Sequence, residues 1–229
     1  MDKTKDLVIV GDGEFGEIAY EYFTHDSGFR VVGFAAERGF LTKDRMYDLP
    51  VVALEDIETQ FPPDRCQAHV AVTYTKLNRV RARLCAITRA KGYTLANYVS
   101  SHAFVWRNVT LGDNVFIFEN NVIQHHVRIG NGVVLWSGNH VGHRSAINDY
   151  CFVSSHVMIP GYCEIGSHSF MGVNATLADH VKIGRDNWIG AASVILKSTE
   201  DNQLFGVEAT PPSKVPARRY FKVPDDSAT

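Results

Sequence analysis

The sequence predicts an α/β layer followed by a parallel β-helix, and three observations carry that reading. Residues 6 to about 97 alternate apolar strand-like runs with stretches of helical spacing. From Val99 onward an aliphatic residue returns at every sixth position as far as Ile195, without insertion or skip. The stretch GDGEFG, residues 11–16, lies between an apolar run and a helical one and fits G-x-G-x-x-G.

Taken in order, Leu7-Val8-Ile9-Val10 reads as a strand, and residues 14–25 as a helix carrying Phe15, Ile18, Ala19, Tyr22 and Phe23 on one face. FRVVGFA follows as a second strand, PVVALEDI as a short unit and AHVAVTY as a third strand. A helix through Leu77, Val80, Leu84 and Ile87 and a final strand YTLANYV complete the layer. Crossover helices between strands imply parallel pairing. The layer is only about half of a full dinucleotide fold, so the glycine turn sits in an incomplete Rossmann-like unit, which argues against a nicotinamide enzyme. In such a turn the amides and helix N-terminus cradle phosphates, and Glu37 stands where an acidic residue would meet a ribose hydroxyl.

The six-residue period is the mark of a hexapeptide-repeat β-helix, in which three hexads close a coil of about 18 residues and the aliphatic residues stack into a central column. Asn139, inward and one coil above Asn121, is expected to form a structural amide ladder. The proline-bearing tail TPPSKVPARRY is expected to cap the stack. The domain reading is therefore 1–98 for the α/β unit, 99–200 for the β-helix and 201–229 for the cap and tail.

With 45% hydrophobic residues the chain can bury a substantial core, and a net charge of −2 offers no footprint for nucleic acid or an anionic membrane. The N-terminal apolar run is too short for a signal segment, so a cytoplasmic protein is expected. Cys66, Cys85, Cys151 and Cys163 show no C-x-x-C spacing and read as reduced core thiols.

Together the halves resemble the bacterial sugar acyltransferases of the sialic acid O-acetyltransferase type, in particular the UDP-4-amino-sugar N-acetyltransferases, over nearly the whole chain. The resemblance implies a left-handed parallel β-helix, a homotrimer, acetyl-CoA as co-substrate between subunits, and a nucleotide-linked sugar on the Rossmann-like domain. On that reading Gly11, Gly13, Glu14 and Phe15 of the turn contact the ligand, with Ala36 and Glu37 near its base or ribose. The alternative is structural use of the glycines, with Phe15 as the first core residue of the helix. Phe15 also replaces a histidine that the family places in this turn.

His125, His126, His140, His143, His156 and His168 fall in the central coils. A residue two places after the inward aliphatic one lies near a corner and faces outward. His143 and, one coil below, His125 hold that place and should stack about 5 Å apart. The family's motif, an aliphatic residue followed by Glu-His-Glu or Glu-His-Asp, aligns with Val141-Gly142-His143-Arg144 and makes His143 the leading general base. His140 and His125 are its orienters or substrate contacts. Arg144 stands where the motif has an acid, which leaves transfer to an amine or a hydroxyl open. For the acyl donor the resemblance implies Phe152, Gly161, Gly172, Val173 and Ala191, with small residues admitting an extended amide chain. No metal is expected. Two further readings stand beside this one: a metal hydratase resembling the γ-class carbonic anhydrases, with His125, His140 and His143 as ligands, and a non-catalytic nucleotide-sugar-binding trimer.

Overall fold

The computed structural model describes residues 3–224, in which an α/β sheet unit precedes stacked short parallel strands. In the first, β1 (Lys5–Val10), α1 (Glu14–His25), β2 (Phe29–Ala36), β3 (Arg45–Met46), β4 (Leu49–Ala53), α2 (Ile57–Gln60), β5 (Cys66–Val70) and α3 (Arg79–Ala90) form a five-stranded sheet of order β3-β4-β2-β1-β5. All pairings are parallel except the antiparallel edge β3–β4, which the strand–helix alternation does not reveal. The interior strand β1 is apolar from Leu7 to Val10, where both its faces are covered. Leu7 and Ile9 point into a cluster with Phe15, Phe23 and the β-helix, whereas Val8 and Val10 pack with Leu54, Ile57 and Leu84.

Two boundaries differ from expectation. The helix expected to include Leu77 begins at Arg79, because Lys76, Leu77 and Asn78 are left-handed, with φ of 52°, 47° and 62°. Such a run is costly for non-glycine residues and needs external fixing. Asn78 supplies it, accepting from Arg81 at 2.8 Å and facing the carbonyls of His168 and Ser169. The expected final strand is reduced to one parallel bridge, Ala68 to Leu95, after which Tyr98–Val99 already belongs to the β-helix.

From Tyr98 the chain forms two-residue strands, each pairing in parallel with the strand one coil on, as Val122 does with His140 and His140 with Met158. The strands line up in three sheets. The aliphatic residue of every hexad belongs to one core, buried from Ile117 to Ile195 and partly buried at Val99, Val105 and Leu111. Asn121 and Asn139 are buried as expected, joined through a shared acceptor: both side chains donate to the Trp136 carbonyl, at 2.8 and 2.5 Å.

The outward residue before each aliphatic one distinguishes the three faces. The first face carries Tyr98, Phe116, Val134, Phe152, Phe170 and Trp188 and is covered by the α/β unit, whose Phe15, Ala19 and Phe23 pack on it. The second presents Phe104, Val122, His140, Met158, Thr176 and Val194. On it Phe104 is 52% exposed and Val194 64% exposed. The third carries Thr110, Arg128, Ala146, Glu164 and Lys182.

Polar bonds fix the docked unit at both corners of the covered face. At one corner Tyr22 donates to Glu119 at 3.0 Å. At the other, Asn114 bonds both backbone groups of Val70, and the fully buried Arg81 donates to the Gly132, Cys151, Val72 and Thr73 carbonyls. Burial draws the Arg81 pKa down to about 10. Carbonyls alone satisfy the guanidinium, besides the Asn78 amide oxygen.

The tail does not cap the stack. Residues 206–224 are exposed, including α4 (Ala217–Tyr220), and residues 225–229 lie outside the described chain. The last coil is closed instead by residues 198–203. Ser198, Thr199 and Asp201 side chains accept from the backbone N–H groups of Lys182, Gly184 and Arg185, and the Gln203 N–H reaches Asn187. Hydroxyl and carboxylate side chains thus take the place of a missing strand. All four cysteines are free and buried. Among the described residues no helix is long and apolar enough to cross a membrane.

Candidate functional site

At the C-terminal ends of β1 and β2, where open α/β sheets bind ligands, lies a cavity of about 480 Å³. Gly11, Asp12, Ala36, Glu37, Phe40, Thr75, Lys76 and Arg83 are among its lining residues. The glycines have separable reasons. Gly11 has φ of 134°, and a Cβ there would collide with the Ala71 carbonyl. A Cβ on Gly16 would collide with the Gly11 carbonyl, so this glycine sets the approach of α1 to β1. Gly13 caps α1, is exposed and has nothing within 4 Å of a Cβ position, so its space is open. Glu14 is exposed at the first helical position.

The Phe15 side chain does not face the cavity. It is 4% exposed, with its ring 5.5 Å from Phe116 and 6.3 Å from Trp136, and belongs to the packing between the units. Glu37 borders the cavity, but both its oxygens are engaged by Arg83, at 2.6 and 2.7 Å. That bidentate pair holds the Glu37 carboxyl below the usual carboxylate range. Asp12 presents the converse: one carboxylate oxygen is buried without a hydrogen-bond partner. Sequence reasoning missed Asp12, Phe40, Thr75, Lys76 and Arg83. The loops after β2 and β5 were the available signal, since ligands gather at strand C-termini; Arg83 reads from sequence as an ordinary helix-surface cation.

His125, His126 and His143 occupy the corner between the second and third faces, the one corner outside the two that fix the docked unit. His125 and His143 stack with centroids 5.4 Å apart, as the repeat spacing requires. His125 faces His126 with Nδ1 atoms 2.9 Å apart. Desolvation, with the neighbouring His126, His143 and Arg144, lowers the His125 pKa. The half-buried His143 is held from the coil below by Gln124, whose Oε1 lies 2.9 Å from its backbone nitrogen and 3.2 Å from its Nδ1. Tyr162 meets the His143 ring edge-on at 5.2 Å and itself stacks on His180. His140 is on the second face, on a strand between Val122 and Met158, rather than at the corner.

The expected acyl-donor residues separate into three groups. Gly161 is buried against His143: a Cβ there would sit 2.6 Å from the ring Cε1 and 2.9 Å from Nε2. Gly172, Val173 and Ala191 lie at the opposite edge of the second face, where a Cβ on Gly172 would meet the Ala191 nitrogen at 2.5 Å. Phe152 reaches neither edge. It is 3% exposed on the covered face, stacked on Phe170 and met edge-on by Tyr74, because its hexad position points at the α/β unit.

A second, more open cleft of about 420 Å³ lies where α1 ends, lined by Glu21, Tyr22, His25, Asp26, Ser100, His102 and Glu119. Two of its acids are committed to holding the units together. Asp26 accepts from Tyr98 and the Ser101 N–H, and Glu119 from Tyr22 and Ser137. Among the described residues no three His, Cys, Asp or Glu side chains converge in an arrangement that could hold a metal ion.

The family model described as Bacterial transferase hexapeptide (six repeats) matches residues 108–143. Those residues carry the bacterial transferase hexapeptide repeat. No curated protein matches the chain in sequence. Among solved structures, the acetyltransferase domain of PglB from Neisseria gonorrhoeae superposes with a TM-score of 0.79 at 21% identity, over 88% of this chain and 96% of that one. A variant of perosamine N-acetyltransferase from Caulobacter crescentus, in complex with CoA and GDP-perosamine, does so with a TM-score of 0.79 at 24% identity, over 91% and 97%. WeeI from Acinetobacter baumannii follows with a TM-score of 0.74 at 19% identity, over 89% and 97%. At these identities the likeness is one of fold, and it extends to both units.

Proposed function

We propose that this chain transfers an acetyl group from acetyl-CoA to an amine or hydroxyl of a nucleotide-linked sugar, in the making of cell-surface polysaccharide precursors. The observation that carries the reading is the combination, on the fold of two named acetyltransferases, of a cavity at a phosphate-type turn with a half-buried histidine at a β-helix corner. The relation to a complex holding both CoA and GDP-perosamine supports the same pair of substrates.

In this reading Gly11, Gly13 and Glu14 border the ligand phosphates, where amides and the α1 N-terminus favour negative charge. Asp12, with an unpaired acceptor in the cavity wall, takes a ribose or base donor in place of Glu37, which Arg83 already occupies. His143 removes the proton from the attacking amine or hydroxyl as it adds to the thioester carbonyl. The tetrahedral intermediate then expels the thiolate, which takes that proton back from the imidazolium, giving free CoA thiol and the acylated sugar.

The nucleotide cavity and the histidine corner sit on different sides of one prism, so a second copy is needed to bring acceptor and base together. The exposed second face, with Phe104, Val122, Met158 and Val194, is the surface for that contact, and a homotrimer satisfies it. His143 and Gly161 border this face at one edge, Gly172, Val173 and Ala191 at the other, so the acyl donor lies along it between copies. Four buried thiols suit a reducing cytoplasm.

The test is a panel of nucleotide-linked amino and hydroxyl sugars incubated with acetyl-CoA, reading release of free thiol. Turnover of one class names the acceptor. No thiol release with any of them, from protein shown to bind CoA, sinks the acyltransferase reading. Turnover by a species that sedimentation equilibrium shows to be monomeric sinks the shared site.

A further inference from the structure

We propose that Gln124 is a positioning residue that holds the His143 imidazole in a single tautomer, with the proton on Nδ1 and the lone pair on Nε2. The inference rests on the reading of His143 as the base and adds the group that prepares it.

The argument is one of donors and acceptors. The Gln124 side-chain atom 2.9 Å from the His143 backbone nitrogen receives that N–H, and a backbone N–H can only donate, so this atom is the amide oxygen and not the amide nitrogen. The same oxygen lies 3.2 Å from His143 Nδ1. An amide oxygen has only lone pairs to offer, so Nδ1 must carry the proton. A neutral imidazole has one such proton, and Nε2 is left as the basic nitrogen.

The surroundings agree with that assignment. A Cβ on Gly161 would sit over the ring, 2.6 Å from Cε1, 2.9 Å from Nε2 and 3.1 Å from Nδ1, so only a glycine lets this coil pass the imidazole without displacing it from Gln124. Gln124 itself is fixed, since its backbone N–H donates to the Val141 carbonyl at 3.0 Å in the coil-to-coil ladder. The titratable and charged groups around the ring are His125, stacked below; His126, bonded to His125; Tyr162, edge-on above, with His180 beyond it; and Arg144, next in the turn. None of these is a carboxylate. An amide from the preceding coil therefore does the orienting that an acid beside the histidine would do.

The test uses the full chain labelled with ¹⁵N-histidine, with the His143 resonances identified by their loss in His143→Ala. Wild-type protein at a pH where the ring is neutral is expected to show Nδ1 protonated and Nε2 bare. Gln124→Met, of similar length but unable to accept, is expected to lose that tautomer and to lower kcat about 10²-fold, with KM for acetyl-CoA unchanged. Gln124→Glu keeps an acceptor, so it should retain the tautomer, recover most of the turnover and move the ascending, acid-side limb of the pH profile to higher pH. It also serves if the methionine variant fails to fold.

A wild-type spectrum with the proton on Nε2 overturns the proposal, as does Gln124→Met with an unchanged tautomer and full kcat. The spectrum needs no substrate. Normal turnover by His143→Ala, together with the expected tautomer change in Gln124→Met, removes His143 as the base while leaving its orientation by Gln124 in place.

Discussion

The covered and open faces of the β-helix share a backbone, a pairing pattern and an inward column, and differ in one outward residue per hexad. On the covered face the row Tyr98, Phe116, Val134, Phe152, Phe170 and Trp188 is mostly aromatic and packs with Phe15, Phe23 and Leu7 of the α/β unit. On the open face Phe104, Val122, His140, Met158, Thr176 and Val194 mix apolar and polar groups, bordered by the histidine corner at one edge. The column decides that a coil forms; the outward row decides what lies against it. Stability within one chain should therefore be concentrated on the covered face, and assembly and chemistry on the open one.

Unfolding free energy is the measure that breaks or sharpens this contrast. The largest loss is expected from Phe116→Ala, whose ring lies 4.5 Å from Tyr98 and 4.8 Å from Phe118 with no exposure; removing it should cost about 3–5 kcal/mol in denaturant unfolding. A loss below 1 kcal/mol would mean that the α/β unit is not anchored there.

Next comes an acid effect confined to the covered side. His69 is fully buried against Phe23 and Phe116, bonded through Nδ1 to the Ala96 carbonyl, and desolvation lowers its pKa to about 4. Between that value and the unfolded imidazole value of about 6.5, the unfolded chain binds the extra proton. Stability is thus complete above about pH 6.5 and falls as pH drops toward 4, by about 3 kcal/mol over the interval. His69→Gln should abolish that slope in unfolding curves taken across the range, whereas a slope that persists assigns the acid sensitivity elsewhere.

Phe104→Ala, on the open face, should leave the free energy of a single chain within about 0.5 kcal/mol while raising the concentration at which the assembly dissociates in sedimentation experiments. Unchanged assembly would take this end of the face out of the interface.

The smallest effect on folding, joined to a large one on chemistry, is expected at the corner. His143→Ala should unfold like the parent, yet slow acyl transfer about 10²–10⁴-fold. His125→Ala and His140→Ala should cost less. Full turnover by His143→Ala with loss in either of the others would transfer the role to that histidine.

The contrast also explains what could be read in advance. An unbroken six-residue period specifies the column completely, because every inward position needs the same aliphatic chemistry, and the stacking of His125 on His143 follows from it. The outward row has no such rule. Phe152 fits an acyl-binding surface as well as a buried one until the face under the α/β unit is known, and Phe15 is a turn residue or a core residue on the same terms. The cavity walls were hidden for a further reason. Thr75 and Lys76 arrive there on a left-handed turn fixed by Asn78, and Asn78 is held from coils some ninety positions away. Closure of the last coil by Ser198, Thr199 and Asp201 was concealed likewise, since these residues read as an ordinary loop.

The coil repeat has a consequence for the lengths by which such a chain can change. His140 pairs with Met158, eighteen positions on, so inserting or removing a whole coil returns every later residue to its own face. A single hexad preserves the aliphatic column just as well but turns everything downstream by one third of a revolution. Deleting six residues ahead of Phe152 would carry Met158 and Thr176 beneath the α/β unit, in the places of Phe152 and Phe170. The rod is periodic in six, but the molecule is periodic only in eighteen, and the docked unit is what imposes the longer period.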